Sequence, residues 1–423
     1  MLQLNPLSIT VYFALSAGAF AQPLGTVSPL AQICGPPSSV VCIKKYASVM
    51  PYHFFREPSY NGSYEDIYPS TMVPNDTSWG LVRKADFLVF DQARGLDLLG
   101  PSPSYEYVFE VNNAVHEAPV YSPVTNKLYF SQLRGTKSPP GFLPQLVVNL
   151  NVDPPELGEL ISDPYMPQMA ERSTTSVIYW GVSGGNNSIG GIEERPSIAT
   201  LDPLTNKTVT LLNNYFGYYF NTVDDLFVHD NGDIFFTDPQ YSWFNALTDR
   251  APQLETASYR FTPSTGAVSV INDDIVQPNG IAIAPVVAGC PRTVYISDTG
   301  AIAGTTQQSL GPQGTEFNTT CKRTIYAFDL SANCKHLLNK RPVYLAQDWV
   351  PDGLKVAANG YIVTRAGKGV DVLDSDGTLL VRVQTNFTVQ NFAWTGANYE
   401  DLWIVGNSGV ARVKWALEGQ VLK

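Results

Sequence analysis

Short apolar runs, each broken by a polar or glycine-containing turn, recur along most of this chain. Five segments align: 118–131 reads APVYSPVTNKLYFS, 225–238 reads DLFVHDNGDIFFTD, and 280–298 reads GIAIAPVVAGCPRTVYISD; 353–364 reads GLKVAANGYIVT and 392–406 reads FAWTGANYEDLWIVG. Each is a small strand, a turn, and a second strand rich in β-branched and aromatic residues, which is the pattern of a hairpin. Residues 176–185, SVIYWGVSGG, supply a weaker further second strand. Additional candidate strands follow the hairpins: SYRFTP and GAVSVIND, then RTIYAFDL and RPVYLA, then GVDVLD and LLVRVQT. Four strands per repeat predicts an all-β chain, a six-bladed β-propeller of four-stranded blades around a central channel. The blades fall at 113–162, 167–215, 222–275, 277–346, 350–385 and 389–415. The last is short, and either 85–95 or 105–111 could complete it and close the ring. A pair of β-sandwiches is the rival arrangement, and the repeated hairpin counts against it. No segment of helical period of useful length stands out.

Composition adds compartment and excludes some partners. The chain has 423 residues, 44% hydrophobic and 15% charged, with a net charge of −11. That suits a β-rich globular protein with a large core. The acidic balance, with no Lys/Arg cluster, argues against nucleic acid or an anionic membrane surface as partner. Residues 1–21 carry an uncharged run from Leu7 to Phe20 that ends in Ala19-Phe20-Ala21, the pattern of a cleaved secretory leader. Residues 22–84, rich in Pro, Tyr and Ser, are expected to wrap the outside of a propeller spanning 85–423. Six Asn-x-Ser/Thr sites, at Asn61, Asn75, Asn186, Asn206, Asn318 and Asn386, fit a secreted, extracellular glycoprotein that is a monomer or a homodimer. The five cysteines have no zinc spacing. Cys34 and Cys42 could close a small loop. Cys290 precedes one strand and Cys334 follows its antiparallel neighbour, which favours a second pair and leaves Cys321 odd.

The candidate chemistry lies at the starts of the first strands, which line a propeller's channel. These positions hold Glu117, Asp224, Asn279 and Asp352. Singly, an Asn-Gly or Asp-Gly at a strand start is usually turn chemistry. In register across four repeats, they predict a metal site, because carboxylates crowded in a partly dry channel need neutralising. All-oxygen ligands suit one divalent cation, Ca²⁺ first, with Mg²⁺, Mn²⁺ or Zn²⁺ as alternatives. Asp224 would point into the channel, and Asp225 would turn away to bond backbone.

At these residues the sequence resembles the gluconolactonase and regucalcin-like family, which includes fungal lactonohydrolases. The resemblance is carried by HEAPVYSPVTNKLYF, DDLFVHDNGDIFFTDPQY, QPNGIAIAP with VYISDTG, and VPDGLKV with NGYIVT. It implies a six-bladed propeller with one divalent cation in the channel, and it places the family's ligands on Glu117, Asn279 and Asp352. The remaining ligand position is commonly Asn in the family and is Asp224 here, a departure that adds charge and bears on which substrate is preferred. The implied reaction is hydrolysis of a lactone to a hydroxy acid, with the cation polarising the carbonyl and Asp352 as both ligand and general base.

Other features weigh less. Tyr241 and Trp243, with Phe244, could wall a substrate pocket, with Asp224 beside them, or could simply pack. His116 should face away from the channel, and His229 lies towards the outer end of its strand. The loop SGGNNSIGG at 183–191 lacks the Lys-Ser/Thr ending of a phosphate loop. No Gly-x-Ser-x-Gly motif supports serine catalysis. Competing functions are hydrolysis of another ester, an organophosphate or a secondary-metabolite lactone at the same site, a non-catalytic binding propeller, and a strictosidine synthase-like condensing propeller, which would not need the acidic quartet.

Overall fold

The computed structural model describes residues 29–56, 67–133, 144–160, 168–173, 177–185, 194–285, 292–302 and 317–421. The apolar runs form antiparallel strands that assemble into six sheets. Sheet one takes Val115–Ser122, Lys127–Leu133, Gln145–Asn149 and Glu156–Leu160. Sheet two runs from Gln168–Ser173 to Thr208–Leu212, sheet three from Leu226–Val228 to Ala267–Asn272, and sheet four from Pro278–Ile283 to Leu337–Leu345. Sheet five begins with Pro351–Val356, Ile362–Ala366, Gly369–Leu373 and Leu379–Gln384. Sheet six holds Thr388–Thr395, Asp401–Asn407 and Gly409–Lys414. The first strands touch one another in sheet order, and that of sheet six returns to that of sheet one, so the ring is closed. The architecture is an all-β propeller.

Burial falls outward along each sheet. The first strands of sheets four and six are buried along their whole length, while the fourth strands of sheets one, three and four are mostly exposed or half-buried. Sheets pack face to face around the centre, so it is chiefly the outermost strand that meets water. Sheet five is the exception. Its fourth strand, Leu379–Gln384, has a buried middle because Phe87–Val89 pairs along its edge. Val40–Ile43 then adds to Phe87–Val89 in parallel, and Ala31–Ile33 adds beyond it. An edge that would otherwise offer unpaired N–H and C=O groups is thereby covered by the chain's own N-terminal part.

The two segments that could have completed sheet six separate here. Ser104–Glu110 pairs with Gly409–Lys414 and closes the ring, while Phe87–Val89 goes to sheet five. Between them lies a helix that strand patterning missed, Gln92–Leu99. Asp91 caps it by accepting the Arg94 N–H at 3.0 Å, and Gly95, Leu98 and Leu99 form its buried face. At eight residues it is too short for a clear helical period.

Cys34 and Cys42 form a disulfide. Cys334, expected to pair with Cys290, carries a free thiol, as does Cys321. Cys334 sits in the tight turn between Thr324–Leu330 and Leu337–Leu345, where its N–H donates to Ser331. Cys290 lies outside the described residues, as do residues 1–21, Asn61 and Asn186. Asn75, Asn206, Asn318 and Asn386 are all exposed.

Candidate active site

The site is built by a repeated irregularity. In sheets one, four, five and six the pairing of first and second strands shifts register beside one position, between Glu117 and Val120, Pro278 and Ile281, Pro351 and Leu354, and Val389 and Asn391. A bulge of this kind re-aims the side chain next to it. Glu117, Asn279, Asp352 and Gln390 stand at these places, and Asp224 holds the equivalent one ahead of Leu226. All except the half-buried Asp352 are buried.

The glycines after Asn279 and Asp352 are not turn residues. Both lie inside strands, and neither has positive φ. A Cβ on Gly280 would fall 2.4 Å from the Asp352 carbonyl oxygen and 2.5 Å from Leu354 Cβ. A Cβ on Gly353 would fall 2.6 Å from Asn391 Oδ1. Neighbouring first strands therefore approach closely only because glycine is there. Gly280→Ala is expected to push sheets four and five apart at the mouth, costing about 1–3 kcal/mol. Because the shift moves Asp352 itself, kcat/KM should fall more than stability suggests. Thermal melts beside steady-state rates will check this.

Asp225, expected to turn from the channel, instead lines a cavity with residues of the first strands of sheets four, five and six, among them Ala282, Lys355 and Trp394. Its carboxylate accepts the Leu226 N–H at 2.8 Å and, from the next sheet, the Ile281 N–H at 3.0 Å. Thr237 Oγ1 donates to the Asn279 carbonyl at 2.5 Å, so sheets three and four are pinned at two points. Ser297 Oγ accepts the Gly280 N–H at 2.8 Å and donates to the Asp352 carbonyl at 3.4 Å.

Electrostatics mark the same residues. Burial pushes Glu117 up to about 7, against the pull of Arg365, an Asn391 hydrogen bond and the Ala118 N–H. Asp224 is held well above the usual carboxylate range, by burial first and then by the charges of Glu117 and Asp225. Burial raises Asp225 to about 6, opposed by Lys355 and its two N–H bonds. Buried like-charged carboxylates of this kind fit a hard divalent cation, whose charge would let them ionise, and the amide oxygens of Asn279 and Gln390 are of the same hard class. As the side chains lie, however, no three Asp, Glu, His or Cys residues among those described stand together as a ligand set. Asp352 is committed elsewhere: its Oδ2 accepts a hydrogen bond from Arg365 Nη2.

Arg365 escaped the sequence reading. It lies on the second strand Ile362–Ala366, across from the Asp352-Gly353 irregularity, with its side chain 2% exposed. The equivalent places in other sheets hold Ser131, Thr237, Ser297 and Val405, so one long cation among small or apolar residues was the available signal. Gln390 Oε1 accepts from the same Nη2 at 3.0 Å. Gln390 was legible too, standing two residues before Phe392 as Asp352 stands two before Leu354.

The aromatic candidates divide. Tyr241 and Trp243 lie in the short helix Tyr241–Phe244, and all of its residues are buried. Tyr241 donates to or accepts from Thr299 Oγ1, and burial first, then the charge of Asp224, pushes its hydroxyl above the usual phenol range. Trp243 lines a small cavity with Arg195, Tyr219 and Arg250, none of which belongs to the channel ring. His116 is buried with Nδ1 2.9 Å from the Gly406 carbonyl oxygen, and burial lowers it to about 4, so it is a neutral packing residue. His229 bonds Asn231 within its own turn.

Comparison with known proteins gives a consistent pattern. The SMP-30/Gluconolactonase/LRE-like region matches residues 312–407. Lactonohydrolase oryL of Aspergillus oryzae is 45% identical over 383 residues, covering 90% of this chain and 86% of that protein. Lactonohydrolase oryH of the same organism is 38% identical, covering 98% of each. A gluconolactonase from Xanthomonas campestris superposes with a TM-score of 0.60 at 22% identity, over 77% of this chain and 94% of that one, a likeness of fold.

Proposed function

This chain belongs to the SMP-30/gluconolactonase/LRE-like family, and from that premise we propose that it is a secreted lactonohydrolase that opens a lactone ring with a water made reactive in the channel. The observation that carries the reading is the placement of Glu117, Asn279 and Asp352 on three first strands and of Asp224 just ahead of a fourth, in a chain similar to a lactonohydrolase along nearly its whole length. We read the six sheets as six blades. Exposure of the four described sequon asparagines supports a glycosylated, extracellular protein.

In this reading Glu117, Asp224, Asn279 and Asp352 hold one divalent cation, Ca²⁺ by preference. When bound, that ion polarises the lactone carbonyl and stabilises charge on its oxygen. Asp352, the most accessible of the ring, takes a proton from the attacking water as the water oxygen bonds the carbonyl carbon. The ring C–O bond then breaks. The same proton passes to the leaving alkoxide, and the product is a hydroxy acid. Tyr241 borders the substrate beside Asp224. Burial of the ring keeps bulk water from competing. Asp224, where the family commonly has Asn, makes the site more acidic and favours a neutral lactone over an anionic one.

The test is pH-stat hydrolysis of glucono-δ-lactone, pantolactone, an aryl lactone and phenyl acetate, with EDTA and after Ca²⁺ is restored. The expected result is chelator-sensitive, Ca²⁺-rescued opening of at least one lactone. Turnover of phenyl acetate alone would replace lactones by aryl esters. Absence of turnover despite a bound cation would favour a binding role.

A further inference from the structure

We propose that Arg365 is a built-in competitor of the cation, a guanidinium that pairs with Asp352 and must release it before the ion can be held. The inference rests on the proposed cation-dependent reading of the channel and adds a control element to it.

Three observations carry it. The first is geometric: Arg365 Nη2 is bonded to Asp352 Oδ2, one of the oxygens a cation would need. The second is where the arginine stands. It is almost fully buried on the second strand of sheet five, at a place where the other sheets carry Ser131, Thr237, Ser297 and Val405. None of those could send a positive charge into the channel. The third is its support. Gln390, the sheet-six member of the ring, accepts from the same nitrogen at 3.0 Å, and Gln390 Nε2 is itself anchored to Asn407 Oδ1 at 2.7 Å. The guanidinium is thus braced against the ring, and its charge acts on Glu117, Asp224 and Tyr241 as well as on Asp352.

Competition follows from the charges. Within a few ångströms in a partly dry channel, a guanidinium and a dication repel one another, and each is attracted to the same carboxylates. Cation entry therefore requires the Arg365–Asp352 pair to break, and its free energy is subtracted from the apparent affinity. Arginine is always charged, so the competitor cannot be removed by raising the pH within the working range. The consequence for function is a weakened, exchangeable ion, which leaves a carboxylate able to accept a proton where a tightly held one would not.

The experiment is isothermal titration of the full chain with CaCl₂ after chelator treatment, on wild type, Arg365→Ser and Arg365→Lys, each first shown to be folded by circular dichroism. Thermal melts with and without Ca²⁺ run beside it. The expected result is that Arg365→Ser binds Ca²⁺ at least 10-fold more tightly, with a larger Ca²⁺-induced rise in melting temperature. Arg365→Lys, which keeps the charge, should stay within about threefold of wild type. Wild type that binds no Ca²⁺ beside an Arg365→Ser that does would uphold the competitor while sinking the cation-dependent reaction. Unchanged or weaker binding in Arg365→Ser, with wild type binding Ca²⁺, would overturn the competitor and leave the reaction standing. An equal gain in the Ser and Lys variants would show that charge is not the cause and would also overturn it. If neither wild type nor Arg365→Ser binds the ion, both fall.

Discussion

Asp352→Asn should lower kcat/KM for the best lactone by about 10²–10⁴-fold while the protein stays folded. The substitution keeps the side chain's shape and removes the charge, and with it the capacity to take a proton, part of the hold on the ion and the ion pair with Arg365. The residue's setting makes that separation possible. Asp352 sits beside a bulge on Pro351–Val356, with its backbone carbonyl bonded by Ser297 and packed against Gly280. Its position is thus set by backbone contacts that Asn leaves intact. Its side chain is 13% exposed, enough for a water to reach it, whereas Glu117 and Asp224 are deeper. Rates on the lactone panel, with melting curves to confirm folding, will check this. A variant within about fivefold of wild type would remove Asp352 from the proton transfer. Glu117→Gln offers the contrast: in the proposed scheme it holds the ion only, so excess Ca²⁺ should restore part of its activity.

Arg382→Met is expected to cost about 3–5 kcal/mol of stability, the largest effect foreseen outside the channel. Arg382 lies on Leu379–Gln384 with its side chain 1% exposed. Nη1 donates to Asp371 at 2.8 Å, and Nη2 donates both to Asp348 and to the Ala366 carbonyl, the latter at 2.8 Å. Both carboxylates are themselves buried, so removing the guanidinium leaves Asp371 without its cation and Asp348 with Arg56 alone, where water cannot reach them. The damage should spread. Asp371 also accepts Tyr344 Oη at 2.8 Å, and Asp348 accepts the Tyr68 N–H at 2.8 Å and pairs with Arg56. The network therefore ties the N-terminal part to sheet five. Urea unfolding will measure the loss, and limited proteolysis should show earlier cutting in the N-terminal part. Arg382→Lys should rescue little, because one ammonium cannot bridge both carboxylates as the planar fork does. A loss below about 1 kcal/mol would show that the pair is replaceable by apolar packing.

How far the sequence reached can be judged from single residues. Hairpins such as 225–238 were legible because a strand–turn–strand unit is specified by neighbours in the chain: apolar residues in short runs, Asn231-Gly232 at the turn, β-branched residues after it. Their repetition predicted the limits of sheets one to four, while sheets five and six also take in strands from residues 31–110, and it put Glu117, Asp224, Asn279 and Asp352 at or just ahead of strand starts. Gln390 obeys the same register, but sheet six begins with Thr388-Val389 rather than a recognisable Pro-x-Gly, and the position was passed over. The expectation failed where the partner is distant. Phe87–Val89 reads as a strand, yet whether it joins sheet five or six depends on which edge is open once the ring has formed. Gly280 and Gly353 read as turn formers, and only the approach of strands about 40 to 70 residues apart in the chain shows that they make room for a neighbour. Arg365 reads as one charge in a loop-like TRAGKG run, and only the folded ring shows that it is buried against Asp352. The sequence by itself determined most of the strands and their repeat, because these follow from local patterns of polarity. The tertiary structure alone decided which carboxylate meets which cation, since burial and pairing of charge depend on groups brought together from different sheets.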